Sequence, residues 1–272
     1  MNEALLLAAV PVATFDGTRL LTRASGFFFA RDDRLFLVTS RHVMIDEPSR
    51  HWPDRIEIVL HLDPTDLTRS TGYGALLYRD GRANWRQGRD SGGEIDVAVL
   101  EIDRHALPKQ AVLQAFTPAH LAKPSQDIEV GTPLLIVGFP MGFHDELHHL
   151  PVVRQAVVAS AYGVRFQGLG YFLTDARTHR GTSGAPVVMR GGAVTWHLPD
   201  GSLDTQVLAT HRHLVGADEE DEEAAPAQGA PASRALWDRQ ACSAPAAQPL
   251  LTRALLRTQA APSGELAAPE PA

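Results

Sequence analysis

Short apolar runs separated by polar turns dominate the chain up to about residue 216. Most of these runs, such as residues 26–30, 35–38 and 134–137, span four to seven positions and are rich in Val, Ile and Phe. Runs of this length and composition are typical of strands rather than helices. Turn residues separate them, as at 31–34 and 199–201. The pattern therefore predicts an all-β barrel or sandwich.

The apolar run near the start, residues 4–13, has two interpretations. Such a run can be the core of a signal peptide, but no Lys or Arg precedes this one and Glu3 is acidic. We therefore expect it to form the first strand. No run in the sequence reaches the roughly 18 apolar residues that a membrane helix requires.

Residues 217–272 have a different composition. Six acidic residues occupy 218–223 in succession, and Ala, Pro, Gln and Ser make up most of the rest. Because such a stretch buries too little apolar area to offset the entropy of folding, we predict a mostly disordered tail after a folded domain at 1–216. We interpret the acidic run as a solubilising spacer, with a docking segment for a protein partner as the alternative.

The net charge and the cysteine content limit which partners and which compartment we expect. A formal net charge of −7 gives no electrostatic reason to expect nucleic acid or an anionic membrane as a partner. The only cysteine is Cys242, which excludes an intrachain disulfide. This fits a reducing compartment, and we expect a cytoplasmic protein.

Three distant segments carry residue types that work together in nucleophilic catalysis. His42 follows the apolar run at 36–38, Asp96 precedes the run at 97–100, and Ser183 lies in the Gly-rich turn at 181–186. A serine hydroxyl needs an adjacent base, an imidazole can take and return the proton, and a carboxylate fixes the imidazole tautomer. The order His, Asp, Ser along the chain is that of chymotrypsin-type hydrolases.

The choice of carboxylate rests on the strand that follows it. Four other carboxylates flank the same strand: Asp90, Glu94, Glu101 and Asp103. Asp96 is preferred because the apolar run begins directly after it. In the turn, Gly181 permits backbone angles that other residues resist, so its N–H and that of Ser183 can converge on one point. We predict that these two N–H groups hold the oxyanion of a tetrahedral intermediate.

These segments resemble those of trypsin-like serine peptidases, especially the bacterial branch that includes the HtrA proteases. Residues 174–184 resemble the T-D-A-x-x-x-x-G-N-S-G stretch of that branch, and residues 38–43 resemble its V-T-N-x-H-V. Residues 137–142 resemble a G-x-P-x-G turn that precedes a strand of the second barrel. The resemblance covers roughly residues 5–216.

The resemblance implies two six-stranded antiparallel β-barrels, at about 5–105 and about 125–216, with the active site between them. It implies His42 as general base and acid, Asp96 as its orienting group and Ser183 as nucleophile. Thr182 stands where digestive proteases have aspartate, so we do not expect activation by N-terminal cleavage. No PDZ-like module follows the peptidase segments, so we expect an HtrA-like chain without one.

The resemblance also points to the residues that line the pocket for the side chain preceding the cut. These are Arg177, Thr178, His179 and His211. His211 is similar to the histidine of the G-I-H segment in glutamate- and glutamine-cleaving relatives, and a hydrogen-bonding pocket suits an acidic or amide side chain. The alternative is that His211 only packs against the barrel and a small apolar residue is preferred.

The function that follows is that of a serine endopeptidase acting on proteins or peptides through an acyl-enzyme. Hydrolysis of this kind needs no cofactor. The segment 144–149 has residue types that ligate metals, but it reads as a loop, and we predict no metal site there. The alternatives are a pseudoenzyme that binds peptides without turnover and an esterase on the same triad.

Overall fold

The computed structural model describes residues 4–90, 92–122, 128–141, 143–190, 205–212 and 240–243. Within these residues the protein is built from two antiparallel β-sheet domains. No helix in the described part of the chain is long and apolar enough to cross a bilayer. The predicted all-β class with two antiparallel domains is confirmed.

The first domain holds two short helices and nine strands. The helices are α1 (Ala4–Ala8) and α2 (Arg41–Met44). The strands are β1 (Ala9–Asp16), β2 (Arg19–Arg31), β3 (Arg34–Thr39), β4 (Arg55–His61), β5 (Ser70–Leu76), β6 (Tyr78–Arg79), β7 (Arg82–Ala83), β8 (Trp85–Asp90) and β9 (Gly93–Ile102). Seven of them form one sheet in the order β5-β4-β1-β2-β3-β9-β8, and β6 pairs with β7. The main sheet thus has seven strands where six were predicted.

The second domain forms a six-stranded sheet in the order β11-β10-β13-β14-β15-β12. Its strands are β10 (Pro133–Gly138), β11 (Val152–Val157), β12 (Phe172–Thr174), β13 (Pro186–Arg190), β14 (Thr205–Arg212) and β15 (Gln240–Ser243). A bridge between Val158 and Thr174 joins the ends of the two edge strands and closes the sheet on itself. Among the described residues, three single-turn 3₁₀ helices lie in loops, at Arg104–Ala106, Pro118–His120 and Phe166–Gly168.

Strand β2 lies between the two domains, which explains its unbroken apolar run. Side chains alternate between the faces of a strand, so Phe28 packs in the core of the first domain while Phe27 and Phe29 pack on the other face. That second face shares a cluster with residues of the second domain such as Val137 and Val188. Each of these buried phenylalanines contributes roughly 1.5–3 kcal/mol. Apolar contact along β2 therefore holds the domains together and forms the cleft between them.

The structure changes two details of the sequence prediction. The first strand begins at Ala9, and residues 4–8, predicted as part of it, form α1 because Ala and Leu are strong helix formers and Leu5 packs in the interdomain cluster. At the other end, Gln240–Ser243 was assigned to the tail but pairs as β15 with β12 and β14. The rest of the predicted tail lies outside the described residues.

Candidate active site

The folding of the first domain brings His42 and Asp96 together. Strand β3 pairs antiparallel with β9, with Thr39 opposite Ala98, and continuing this register past the end of β3 brings Asp96 opposite the first turn of α2. Each oxygen of the Asp96 carboxylate makes a different contact with His42. Oδ2 lies 2.7 Å from His42 Nδ1, and Oδ1 accepts the His42 backbone N–H at 2.9 Å. This two-point contact fixes the orientation of the imidazole.

The four competing carboxylates bind elsewhere. Asp90 pairs with Arg165, Glu94 with Arg89, Glu101 with Arg34, and Asp103 accepts the backbone N–H of His105. The Asp96 side chain is only 9% exposed, whereas that of His42 is 24% exposed. The histidine thus meets solvent in the cleft while its carboxylate partner is shielded, which is the arrangement needed to stabilise an imidazolium.

Ser183 lies on the same cleft as His42. Both line one cavity of about 510 Å³, together with Gly181. The Ser183 carbonyl accepts the backbone N–H of Ser25 at 2.8 Å, which anchors the serine to the first domain. Among the described contacts, no hydrogen bond joins the Ser183 hydroxyl to His42 in this conformation. The structure therefore brings His42 and Asp96 into contact and places Ser183 on the shared cleft.

The φ of Gly181 and one backbone hydrogen bond define the orientation of the turn before Ser183. Gly181 has a φ of +94°, and the carbonyl of Arg180 accepts the N–H of Met141 at 2.8 Å. Because the carbonyl and N–H of one planar peptide point in opposite directions, this bond turns the Gly181 N–H away from Met141. Among the described backbone hydrogen bonds, neither the Gly181 nor the Ser183 N–H donates. Both remain available to a substrate oxygen.

Thr182 is satisfied within its own turn. Its hydroxyl donates to the carbonyl of His179 at 2.5 Å, its N–H donates to the same oxygen at 3.2 Å, and the residue is buried. In this position an aspartate would need a cationic partner, but the threonine needs none. The local contacts are consistent with the expectation that the turn forms without cleavage of an N-terminus.

Ser25 is a functional residue that the sequence analysis missed. It is fully buried, and its hydroxyl donates to the Gly181 carbonyl at 2.8 Å while accepting the N–H of Phe139 at 2.9 Å. Its own carbonyl accepts the Thr39 hydroxyl at 2.7 Å. One side chain of the first domain therefore fixes a peptide between the Gly181 and Ser183 N–H groups. No sequence pattern marks it, because a serine directly before an apolar run carries no distinctive signal, and in the structure it lies within β2.

We expect Ser25→Ala to lower kcat roughly tenfold to a hundredfold with little change in KM, because the oxyanion turn loses its support while the substrate contacts remain. Loss of a whole oxyanion donor costs about 100- to 1000-fold, and a displaced donor costs less. Steady-state kinetics on one peptide checks this. Thr14→Val is the matched control, because the Thr14 hydroxyl is also buried but has no partner. An unchanged kcat in Ser25→Ala would show that Ser25 does not position the turn that carries Gly181 and Ser183.

The structure brings together two of the four residues predicted to line the specificity pocket. The Thr178 hydroxyl lies 2.8 Å from His211 Nε2, and both residues are buried. The His211 carbonyl accepts the N–H of Gly184 at 2.8 Å and the Ser40 hydroxyl at 3.1 Å. The first of these bonds links the pair to the turn at 181–186 that carries Ser183, called the nucleophile turn below. Arg177 and His179 are exposed.

Other histidines near the cleft have local roles. His51 is hydrogen-bonded through Nε2 to the Val43 carbonyl, and burial lowers its pKa, partly offset by that bond. It is therefore uncharged at neutral pH. In the loop at 144–149, His148 pairs with Asp145 at 2.8 Å. The described residues contain no group of three His, Cys, Asp or Glu side chains that could hold a metal ion.

Two antiparallel β domains with a histidine–carboxylate pair and a serine turn on the cleft between them define a trypsin-like peptidase fold. The family model for the trypsin-like peptidase domain matches residues 24–195, more than half of the chain. The chain belongs to this family.

Two solved structures are similar to this chain. The scabies mite inactivated protease paralogue S-I1 is 17% identical with a TM-score of 0.52, covering 95% of this chain and 97% of that one. A serine endoprotease from Yersinia pestis is 15% identical with a TM-score of 0.43, covering 89% of this chain and 61% of that one. A comparison with curated protein sequences found no match. The likeness to the scabies mite protein concerns the fold alone.

Proposed function

We propose that this chain is a serine endopeptidase that cleaves peptide bonds through an acyl-enzyme. The observation that carries the proposal is the two-point contact of Asp96 with His42 beside the Ser183 turn. The carboxylate accepts hydrogen bonds from both the backbone N–H and the Nδ1–H of one histidine. This keeps the ring proton on Nδ1, so Nε2 is free of a proton and can accept one. That is the state a general base requires.

In the proposed reaction, His42 Nε2 takes the proton of the Ser183 hydroxyl as the serine oxygen attacks the peptide carbonyl. The resulting oxyanion accepts hydrogen bonds from the Gly181 and Ser183 N–H groups. His42 then gives the proton to the leaving amine, and the C–N bond breaks. Water, deprotonated by the same imidazole, hydrolyses the ester and restores the serine. The first step requires the Ser183 hydroxyl to come within hydrogen-bonding distance of His42 Nε2.

Labelling by a fluorophosphonate probe tests the proposal. We expect the wild-type protein to label and Ser183→Ala not to label. Ser49→Ala is the matched control, because Ser49 lines the same cavity but its hydroxyl is bound to Asp46. A folded protein that never labels would favour the rival function, a binding module without turnover. A protein that labels but hydrolyses esters and no peptide would be an esterase.

We further propose that the chain lies near the bacterial HtrA-like branch, because residues 174–184 resemble a motif of that branch.

A digestion experiment tests the endopeptidase activity itself. Digestion of a diverse peptide mixture, read by mass spectrometry with Ser183→Ala as the blank, gives the cleavage sites. Endopeptidase activity requires cuts inside peptides and not only at their ends.

We expect a Glu or Gln side chain to be preferred before the cut, because the buried Thr178–His211 pair, which the resemblance assigns to the pocket, carries hydrogen-bonding groups. Thr178→Val keeps the side-chain volume and removes the hydroxyl. It should lower kcat/KM for such peptides roughly tenfold, about the value of one hydrogen bond to a charged group, while peptides with Ala there change little. A wild-type protein that cuts only after Ala or Val would show that His211 merely packs against the barrel.

A further inference from the structure

The cavity that His42 and Ser183 line is also lined by basic side chains, and Thr178 and His211 are not among its lining residues. We call the part of this cavity that carries the basic side chains the arginine groove. Four arginines and two aspartates line it: Arg19, Arg23, Arg50, Arg180, Asp16 and Asp46. The walls are the first half of β2, the segment 46–52 that follows α2, and the residues just before Ser183.

Both acidic side chains of the groove already have partners. Asp16 lies 3.6 Å from Arg19, and Asp46 accepts the hydroxyl of Ser49 at 2.5 Å. Arg23, Arg50 and Arg180 are exposed, and within the described residues no carboxylate lies within ion-pairing distance of them. His51 adds no charge at neutral pH, since burial lowers its pKa. The groove is therefore locally positive in a protein whose net charge is −7.

Hydrogen bonds hold one wall of the groove in place, and a tryptophan ring is exposed on it. Asp46 and His51 pair as a β-bridge, and Glu47 holds Arg41 through two hydrogen bonds, of 3.1 and 2.8 Å. These contacts fix the segment that carries Arg50. Trp52, 39% exposed, presents a ring on which a peptide side chain can rest.

The chemistry of the proposed reaction sets which part of a peptide meets this groove. The leaving amine must be beside His42 Nε2, because it receives the proton from that atom. Ser183, His42 and Trp52 all line the cavity of which the groove is part, whereas Thr178 and His211 are not among its lining residues. The residues that follow the cut bond are therefore assigned to the groove, and the residue before the cut to the Thr178–His211 pair.

We propose that the arginine groove selects peptides with Asp or Glu in the first positions after the cut. This inference rests on the proposed peptidase function and adds a substrate class to it. The carboxylates of such a peptide pair with Arg23, Arg50 and Arg180, which have no acidic partner within the described residues. Pairs at an exposed rim are individually weak, so the preference comes from several arginines acting on one peptide.

Two peptide series test the inference. Both have the same residues before the cut, and one has Asp and Glu after it where the other has Asn and Gln. We expect kcat/KM to be roughly tenfold higher for the acidic series at low salt, and the ratio to fall toward one at high ionic strength, because exposed charges are screened. Arg23→Glu combined with Arg50→Glu should bring the ratio below one.

Arg79→Glu combined with Lys109→Glu is the control, because these exposed cations lie outside the groove and the net charge changes equally. It should keep the wild-type ratio. Equal cleavage of both series by the wild-type protein, or an unchanged ratio in the groove variant, overturns the inference and leaves the peptidase function standing. Absence of any cleavage together with absence of fluorophosphonate labelling overturns the function and, with it, this inference.

Discussion

Asp96→Asn is expected to lower kcat/KM by about 10⁴ without loss of the fold, because it reverses the tautomer of His42. The His42 backbone N–H donates to Oδ1 at 2.9 Å, so an asparagine must keep its oxygen there. Its NH₂ group then faces Nδ1, which has to become an acceptor. The ring proton moves to Nε2, and that nitrogen can no longer accept the proton of Ser183.

Peptide hydrolysis and the rate of fluorophosphonate labelling both measure this effect, and circular dichroism checks the fold. Glu101→Gln is the matched control, since it makes the same chemical change on the same strand, where the carboxylate pairs with Arg34. Its activity should stay within about twofold of the wild type, because an exposed pair contributes little. An Asp96→Asn protein with more than a tenth of the wild-type activity would show that Asp96 does not orient the base.

Gly184→Ala is expected to destabilise the protein by about 4 kcal/mol or more and to lower Tm by about 10 °C or more. Gly184 has a φ of +86°, where residues with a side chain are strained. A Cβ atom there would lie 2.1 Å from the carbonyl oxygen of Ser25 and 2.1 Å from the hydroxyl oxygen of Thr39. Backbone cannot give way as a flexible side chain does, so the domains would have to separate.

Gly131→Ala separates backbone strain from this clash. Gly131 has a φ of +90°, nearly the same as Gly184, but no atom lies within 4 Å of a Cβ built there. Its substitution should cost only about 1–2 kcal/mol, the price of the left-handed conformation. Thermal unfolding of both variants gives the comparison. Equal losses of Tm would mean that the contact of Gly184 with β2 and β3 does not limit stability.

The elements that the sequence predicted are those with a strong local signal. Apolar runs of strand length predicted the β class, and in the structure the carboxylate directly before such a run lies 2.7 Å from His42 Nδ1. At the N-terminus the local pattern was ambiguous, because a run of Ala and Leu is compatible with a strand and a helix. There the structure forms α1, and the strand starts five residues later.

The features that the sequence did not predict depend on contacts between distant segments. Ser25 and Gly181 are 156 positions apart, and only the docking of the two domains brings them within hydrogen-bonding distance. The short strand β15 has no apolar periodicity of its own and is defined by the edges of β14 and β12. The arginine groove combines residues from β2, the segment after α2 and the nucleophile turn, whose adjacency no local pattern encodes.

The anchoring of the nucleophile turn to β2 has a consequence for how the protein loses function. Ser25 and Gly184 tie Ser183 to the opposite half of the molecule, through bonds to Gly181 and Ser183 and a close backbone approach. The hydrolysis proposed above would therefore depend on the assembled pair of halves. Denaturant that shifts one half against the other is expected to reduce that hydrolysis before the two sheets melt.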